Sequence, residues 1–536
     1  MIYLFISCDS TTYDYVQISG KADSPQEVWE GEAETEYQFE CSDVSWGDRF
    51  SDESSVRGFT ENVPDLQDIC PFCNPIGLGL VAEDFNRDGA IDLVVGHLLS
   101  PPLLYLNDGQ GFFTSEALNG VVPDVFHIPE KDRGIRSLAA GDLNGDGWID
   151  LIWGGVGLVG WYQNQQGRFL PLEILYTDSE TQLGVYGNIQ VGDLNGDDLL
   201  DVFAATTRAT GCPSCPELDP QEGDALGLWP DLTLIQHSDG FEAQFLRTDE
   251  IGSNSHIGVA VDLDLDGQLE IYVPKDLEGK SAFWEWLNGH WNDFVEDRGL
   301  ELNCKAMGFS VAELNADQEL DFCMTCLGPP LCMLSDGYGG FYDASRMLGF
   351  SIESYQSVDP PVGWSGHFAD LNNDGWLDFV QASGASDSEE QQYDLIWAAD
   401  RMGGFSEVSF VAGIEDSRDH YGLVTADFDS DGYLDIVTTG PGHPPVFYKN
   451  KGGNCGWVQL LSSKKHTTIE VEIGEQRLIQ QILGATGQAQ NPSLFHFGLG
   501  EANKTGPVWR QELGMSEAER IRMSVYGGNR IFIEEQ

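Results

Sequence analysis

Asp427-Phe428-Asp429-Ser430-Asp431-Gly432-Tyr433-Leu434-Asp435 reads as a loop built to surround a cation. It offers side-chain oxygens at loop positions 1, 3 and 5, a glycine at position 6 and a carboxylate at position 9. A hard cation such as Ca²⁺ takes oxygen ligands in this way, and the glycine permits the sharp turn that gathers them. The pattern occurs in seven versions, starting at Asp84, Asp142, Asp193, Asp262, Glu313, Asp370 and Asp427, which are 58, 51, 69, 51, 57 and 57 residues apart. A near-regular period of this size predicts stacked supersecondary units rather than accidental acidic turns.

The flanks of each loop repeat too. A small-and-apolar run precedes it (SLAAG, NIQVG, GLVTA) and an apolar β-type run follows it (IDLIWG, LDVFAA, LDIVTT). Strand, acidic turn, strand is the simplest reading. A second element then recurs, as in YLNDGQGFF, FWEWLNGHWNDF and the shortened FYKNKGGN. An apolar run, an Asn/Asp/Gly cluster and a Phe predict a hairpin whose turn needs positive φ. Four strands per unit and seven units predict an all-β chain with a seven-bladed β-propeller. The last unit stops inside its hairpin near Asn454, and Gly58-Phe59-Thr60-Glu61 is expected to supply the missing strand and close the ring.

These units resemble FG-GAP or VCBS repeats, the integrin-alpha-like propellers whose blades carry D-x-[DN]-x-D-G-x-x-D calcium loops. The resemblance spans roughly residues 55–450. The tail, with Gly456-Trp457-Val458-Gln459-Leu460, a strand at Thr468 to Ile473 and SLFHFGLGEANK from Ser493 to Lys504, resembles the small ASPIC/UnbV domain that follows such repeats. The expected organisation is therefore a truncated lipoprotein or secretory signal at 1–8, an acidic linker at 9–48, the propeller with its calcium-binding loops at 49–454, and a small, mainly β domain at 455–536 with a helix around Ser516 to Arg520.

Five loops keep glycine at position 6, and in these the backbone carbonyl of position 7 is the expected extra ligand. They are Asp84, Asn86, Asp88, Ala90 and Asp92; Asp142, Asn144, Asp146, Trp148 and Asp150; Asp262, Asp264, Asp266, Gln268 and Glu270; Asp370, Asn372, Asp374, Trp376 and Asp378; and Asp427, Asp429, Asp431, Tyr433 and Asp435. Two loops depart. Asp193, Asn195, Asp197 and Asp201 have Asp198 at position 6, and Glu313, Asn315, Asp317 and Asp321 have Gln318 there. About five to seven Ca²⁺ ions per chain are expected. Clustered carboxylates repel one another and raise their own pKa values unless a cation lies between them.

The 88 acidic residues against 27 basic ones give a formal charge of −61, which makes nucleic acid and anionic membrane surfaces poor partners. With 41% hydrophobic residues and 14 Trp the chain is not compositionally disordered. No apolar run is long enough to span a membrane. Met1 to Cys8 resembles the end of a bacterial lipoprotein signal with Cys8 as the lipidated residue; a buried apolar N-terminus or a secretory remnant are the alternatives. The other ten cysteines suit disulfides in an oxidising compartment, including Cys70/Cys73 and Cys212/Cys215, although such pairs also match zinc or redox motifs.

No H-E-x-x-H, G-x-S-x-G or P-loop motif occurs, and no catalytic residue is expected. Arg136, His256 and His420 precede their loops by six or seven residues and are candidates to line a central channel; Phe283, Trp284, Trp286 and Trp291 are candidates for sugar stacking or for inter-blade core. The sequence therefore points to a monomeric, non-enzymatic, extracytoplasmic binding, adhesion or scaffold module on a cell envelope, presenting rim loops such as 208–230 and 383–392 to a protein or glycan. It would touch membrane only through lipid on Cys8. A calcium-dependent polysaccharide lyase or hydrolase working in the channel is the alternative, and an assembly part whose tail docks a partner is a third.

Overall fold

The structure, a computed structural model, describes residues 41, 45–61, 79–97, 100–120, 134–178, 184–207, 230–246, 255–275, 280–302, 304–350, 361–384, 392–462, 464–474, 476–515, 518–522 and 524–532, and the backbone of three short strands before residue 41. Cys8, Cys70, Cys73, Cys212, Cys215 and the insertions 208–229 and 385–391 lie outside the described residues.

Each acidic loop joins the first two strands of an antiparallel sheet. Seven such sheets follow in chain order, and their first strands are Leu80–Glu83, Ser137–Gly141, Val185–Gly192, Val259–Val261, Gly308–Ala312, Gly363–Ala369 and Gly422–Ala426. Burial falls across each sheet. The second strands are wholly buried, as in Asp150–Gly154 and Asp435–Thr439, whereas the fourth strands, such as Phe113–Ala117 and His290–Asp293, are largely exposed. The sheets are thus radial, with first strands innermost.

The pleat explains how neighbouring sheets pack, because successive side chains point to opposite faces. Val81 joins Leu138 and Ala140 in a core between the first and second sheets, while Leu80 and Ala82 join Tyr421, Val424 and Phe447 of the seventh. Equivalent cores lie between every other successive pair, so the ring of sheets closes on itself. The predicted hairpins are present. In the fourth sheet Asn288 and Gly289 turn with φ of 55° and 80°, the geometry a two-residue hairpin loop needs.

Closure uses a different N-terminal strand from the one expected. Phe50–Asp52, not Gly58 to Glu61, pairs with Val446–Asn450 as the fourth strand of the seventh sheet. Gly58 instead ends the one-turn helix Ser54–Arg57 at φ 103°, and Phe59 packs on Tyr105, Phe113 and Phe447 in the core between seventh and first sheets. The same unit, a short helix, an αL glycine and a buried apolar residue, recurs at Gly349-Phe350 and Gly413-Ile414 after the fifth and sixth sheets. The Gly-Phe signal was therefore a helix cap rather than a strand.

Two further sheets form from the ends of the chain. Gln26–Trp29, Asn529–Phe532, Gly456–Leu461 and Leu494–Gly500 make one; Gln476–Gln481, Thr468–Ile473, Val508–Gln511 and Glu519–Arg522 make the other. Val458, Leu460, Val471, Phe497 and Val508 lie in their shared core. Two expectations are corrected here. Residues 26–29, read as linker, form a strand parallel to Asn529–Phe532; of the helix expected around Ser516 to Arg520, residues 516 and 517 lie outside the described residues, and Glu519–Arg522 is a strand whose register pairs Glu519 with Arg510. Pairing with a neighbouring strand outweighs local helix propensity there. A disulfide joins Cys41 to Cys455, and Cys304–Cys326 and Cys323–Cys332 staple the fifth sheet.

The axis of the ring is filled by this C-terminal unit. Ala489–Gln490 adds a parallel strand to Leu80–Glu83 of the first sheet. The Gln490 amide exchanges hydrogen bonds with Ala140 of the second, at 2.9 and 3.1 Å. Asn188 of the third donates to the Gly487 carbonyl at 2.9 Å, Thr486 meets the His367 ring of the sixth at 3.2 Å, and Thr425 N of the seventh donates to Asn491 at 2.9 Å. Gly487 is required by close approach: a Cβ there would lie 2.8 Å from the Met307 carbonyl and 2.7 Å from that of Trp364. Gln481 closes the circuit on the fourth sheet through both backbone groups of Asp262.

Candidate metal centres

The acidic loops share one hydrogen-bonded design, which the fourth and fifth follow in part. The position-1 carboxylate caps the turn: Asp142 accepts the amides of Asp146 at 3.0 Å and Gly147 at 2.7 Å, and Asp84, Asp193, Asp262, Asp370 and Asp427 accept the matching pairs. Glu313 accepts the Asp317 amide at 3.2 Å. The position-5 carboxylate accepts the amide of position 7, as Asp88 does from Ala90, Asp146 from Trp148, Asp266 from Gln268, Asp374 from Trp376 and Asp431 from Tyr433. The last carboxylate ties the loop to the third strand: Asp92, Asp150, Asp201, Asp321, Asp378 and Asp435 accept the amides of Asn107, Asn164, Gln236, Ser335, Ala399 and Asn450.

At position 6, Gly89, Gly147, Gly267, Gly375 and Gly432 have φ between 85° and 90°, and the departing Asp198 and Gln318 take the same turn at 67° and 72°. The two loops that lack glycine thus keep the conformation at a cost in backbone strain.

The residues present fit a calcium ion. Their donors are all oxygen, and in the fourth loop one ligand atom from each of Asp262, Asp264, Asp266 and Glu270 lies within 4.8 Å of the others. In the first loop the buried Asp92 Oδ2 has no hydrogen-bond partner, which is costly for a carboxylate oxygen unless a cation takes it; Asp435 Oδ2 of the seventh loop has none either, but there the Lys449 ammonium already meets the other oxygen of the same carboxylate at 3.2 Å. Bound there, Ca²⁺ would neutralise the loop's clustered carboxylates. Burial, more than mutual repulsion, raises these acids: Asp84 is pushed up to about 6, Asp92 to about 8, and Asp150 and Asp262 to about 7, with neighbouring carboxylates adding to the effect. Repulsion between the carboxylates, the cause expected from the sequence, is the smaller part.

The C-terminal unit covers this face of the ring. Arg530 donates to the Gly89 carbonyl at 3.1 Å and Arg477 to Gln318 at 2.9 Å, while a Cβ on Gly432 would strike the Trp457 indole and one on Gly267 the Met515 carbonyl. Buried Lys465 pairs with Glu83 at the edge of the first loop, where Ser493 also bonds. These partners were not legible locally, because they are separated from the loops by up to several hundred residues.

Of the channel candidates, His420 is buried with Nδ1 2.6 Å from Asp394, His256 packs edge-on to Trp364, and Arg136 donates its backbone amide to the Gly154 carbonyl. Residues 486–491 meet the first strands of the first, second, third, sixth and seventh sheets where an open channel was expected. Phe283 and Trp284 are core, whereas Trp286 and Trp291 stack edge-to-face, half-buried, 5.1 Å apart at the outer hairpin. Among the described residues no helix is long and apolar enough to cross a membrane.

No curated protein matches the chain. An FG-GAP-like repeat pattern matches residues 84–153, 142–204 and 370–438. Similar solved structures include an Agrocybe aegerita protein that recognises non-reducing terminal N-acetylglucosamine (16% identity, TM-score 0.41, 68% of this chain and 85% of that one). BBS1N in complex with ARL6DN (10%, 0.42, 76% and 97%) and the Dos1 propeller (9%, 0.40, 77% and 98%) are others. Likenesses this distant say nothing about ligands. The repeat match and the closed ring of radial sheets together make this chain a β-propeller protein carrying FG-GAP-like repeats.

Proposed function

We propose that the chain is a seven-bladed, calcium-stabilised, non-catalytic binding module that works outside the cytoplasm. Ca²⁺ is held at the first, second, fourth and sixth loops by Asp84, Asn86, Asp88 and Asp92; Asp142, Asn144, Asp146 and Asp150; Asp262, Asp264, Asp266 and Glu270; and Asp370, Asn372, Asp374 and Asp378. The third and fifth loops, with Asp193, Asn195, Asp197 and Asp201 and with Glu313, Asn315, Asp317 and Asp321, bind more weakly. The tail is an ASPIC/UnbV-like domain serving as an internal cap and plug.

The observation that carries the reading is the coverage of one face and the axis by that domain. What remains for a partner is the opposite rim, where the described strands lead into the long connections 208–229 and 385–391. Connections of this kind on a rigid ring are where binding surfaces sit. The three disulfides among the described residues suit an oxidising compartment. The ligand is a glycan or a protein; a partner-docking tail is disfavoured because the tail's own groups are spent on the ring.

The test is thermal unfolding of the full chain in EDTA and across a calcium titration, with bound ions counted by mass spectrometry. Each ion specific to the folded ring adds about 2.7 kcal/mol at a hundredfold excess over its Kd. A calcium-dependent rise with at least four ions supports the reading, and no rise with no ion sinks it. Arrays of glycans and of purified extracellular proteins then test the rim: a ligand lost when 208–229 is replaced by a short Gly/Ser linker, at unchanged melting temperature, supports it. Ligand binding that survives the replacement moves the site elsewhere.

A further inference from the structure

The seventh loop has the cleanest ligand pattern in the sequence, yet its interior already holds a cation. Lys449, on the third strand of the same sheet, places its ammonium 2.9 Å from Asp429 Oδ1, 2.9 Å from Asp431 Oδ2 and 3.2 Å from Asp435 Oδ1. An ammonium has three hydrogens to donate, and all three are used on loop carboxylates. The side chain is 11% exposed. Arg57 lies 3.4 Å from Asp429 Oδ2, while also pairing with Glu53 at 2.8 Å, and Arg530 lies 3.6 Å from Asp427 Oδ2, so three cations face the four loop carboxylates and Glu53 and leave a formal charge of −2.

No other loop is served this way. Lys449 follows Tyr448, the cross-strand partner of Ile436 just after the loop. The same register places Leu106, Gln163, Ile235, Glu285, Leu334 and Ala398 in the other six sheets. None of these is cationic, and the fourth sheet has an acid. There Glu285 adds to Asp262, Asp264, Asp266 and Glu270, and among the described residues Arg298, 2.7 Å from Glu285 and 3.0 Å from Asp264, is the one cation paired with them, which leaves a formal charge of −4. The two loops with the most complete acid sets thus differ by two charges. A divalent ion entering the seventh would have to displace a fully bonded ammonium at contact distance from the same oxygens.

We propose that the seventh loop holds no metal ion in the native protein: the Lys449 ammonium is its resident cation, which makes the blade that closes the ring independent of calcium, while the fourth loop depends on it. The inference rests on the calcium reading of the other loops. It gives the closing seam, where Phe50–Asp52 pairs with Val446–Asn450, a fixed internal counter-ion, so the ring stays shut when calcium is withdrawn.

The experiment counts Ca²⁺ on the full chain by native mass spectrometry for wild type, Asp431→Asn, Lys449→Met and the double variant, all purified in calcium. Wild type and Asp431→Asn should carry equal numbers of ions. Lys449→Met should gain one, which Asp431→Asn removes again, and its melting temperature in EDTA should fall below wild type and recover with calcium. Loss of one ion on Asp431→Asn alone would overturn the proposal, as would a Lys449→Met chain that gains none. A wild type without any calcium refutes the general calcium reading, while gain or no gain in Lys449→Met still decides the role of the lysine. If Lys449→Met does not fold, the ion count of Asp431→Asn against wild type decides.

Discussion

Asp198 and Gln318 occupy a turn position that five sister loops fill with glycine, and they do so at φ of 67° and 72°. An L residue held there costs on the order of 1 kcal/mol, partly offset by the greater freedom that glycine has in the unfolded chain. Asp198→Gly and Gln318→Gly should therefore each stabilise the chain by about 0.5–1 kcal/mol, read as a raised midpoint in urea at fixed calcium. Gln318 also accepts from Arg477, so its variant should gain less. Equal destabilisation by both would mean that the side chains, not the backbone turn, hold these loops. Loop chemistry was readable residue by residue because every ligand position lies within nine residues. Lys449 escaped that reading although it stands in the quoted stretch FYKN, since its meaning comes only from cross-strand register.

At the scale of elements, the strands and acidic turns were legible because their signals are local: alternation, a glycine and a period. The closing strand, the strand Glu519–Arg522 and the pairing of Gln26–Trp29 with the C-terminal unit were not, because each is decided by a partner far along the chain. The same distinction separates two glycines of identical loop position. Gly147 and Gly432 have φ of 87° and 85°, but a Cβ on Gly147 would meet only the Arg87 guanidinium at 3.0 Å, whereas one on Gly432 would lie 1.9 Å from Trp457 Nε1. Gly147→Ala should cost about 1–2 kcal/mol of backbone strain. Gly432→Ala should cost about 1–3 kcal/mol more, since the indole must leave its seat. Red-shifted tryptophan emission and faster proteolysis after residue 454 should accompany the second variant and not the first. Equal losses would show that the loop does not bear on the C-terminal unit.

For the whole molecule, the ring and its C-terminal unit share a buried polar interface whose protonation sets the conditions for staying docked. His466 bonds the Val191 carbonyl at 3.0 Å, His496 the Asn373 side chain at 2.7 Å, and His367 the Leu423 carbonyl at 2.7 Å beside Thr486 of the plug. Burial lowers all three, His367 and His466 to about 4 and His496 to about 3, the last also through Arg530. A histidine depressed in the folded state leaves the unfolded chain binding more protons, so its contribution is complete above about pH 6.5 and is lost as pH falls toward 4. Going from pH 7.5 to 5 should cost about 2 kcal/mol per histidine. Without calcium an opposing set acts: Asp92, raised to about 8, and Asp150 and Asp262, raised to about 7, favour the folded state when protonated, and that contribution is lost as pH rises from about 4 through their folded values. Bound calcium keeps those acids ionised and removes their part. Acidification to pH 5 should therefore destabilise the calcium-loaded chain more than the EDTA-treated one, in urea titrations followed by tryptophan emission, with the C-terminal unit released first. An acid response that is the same with and without calcium would show that the loop carboxylates do not titrate against the metal; a flat response in both would show that the three histidines do not hold the domain in place.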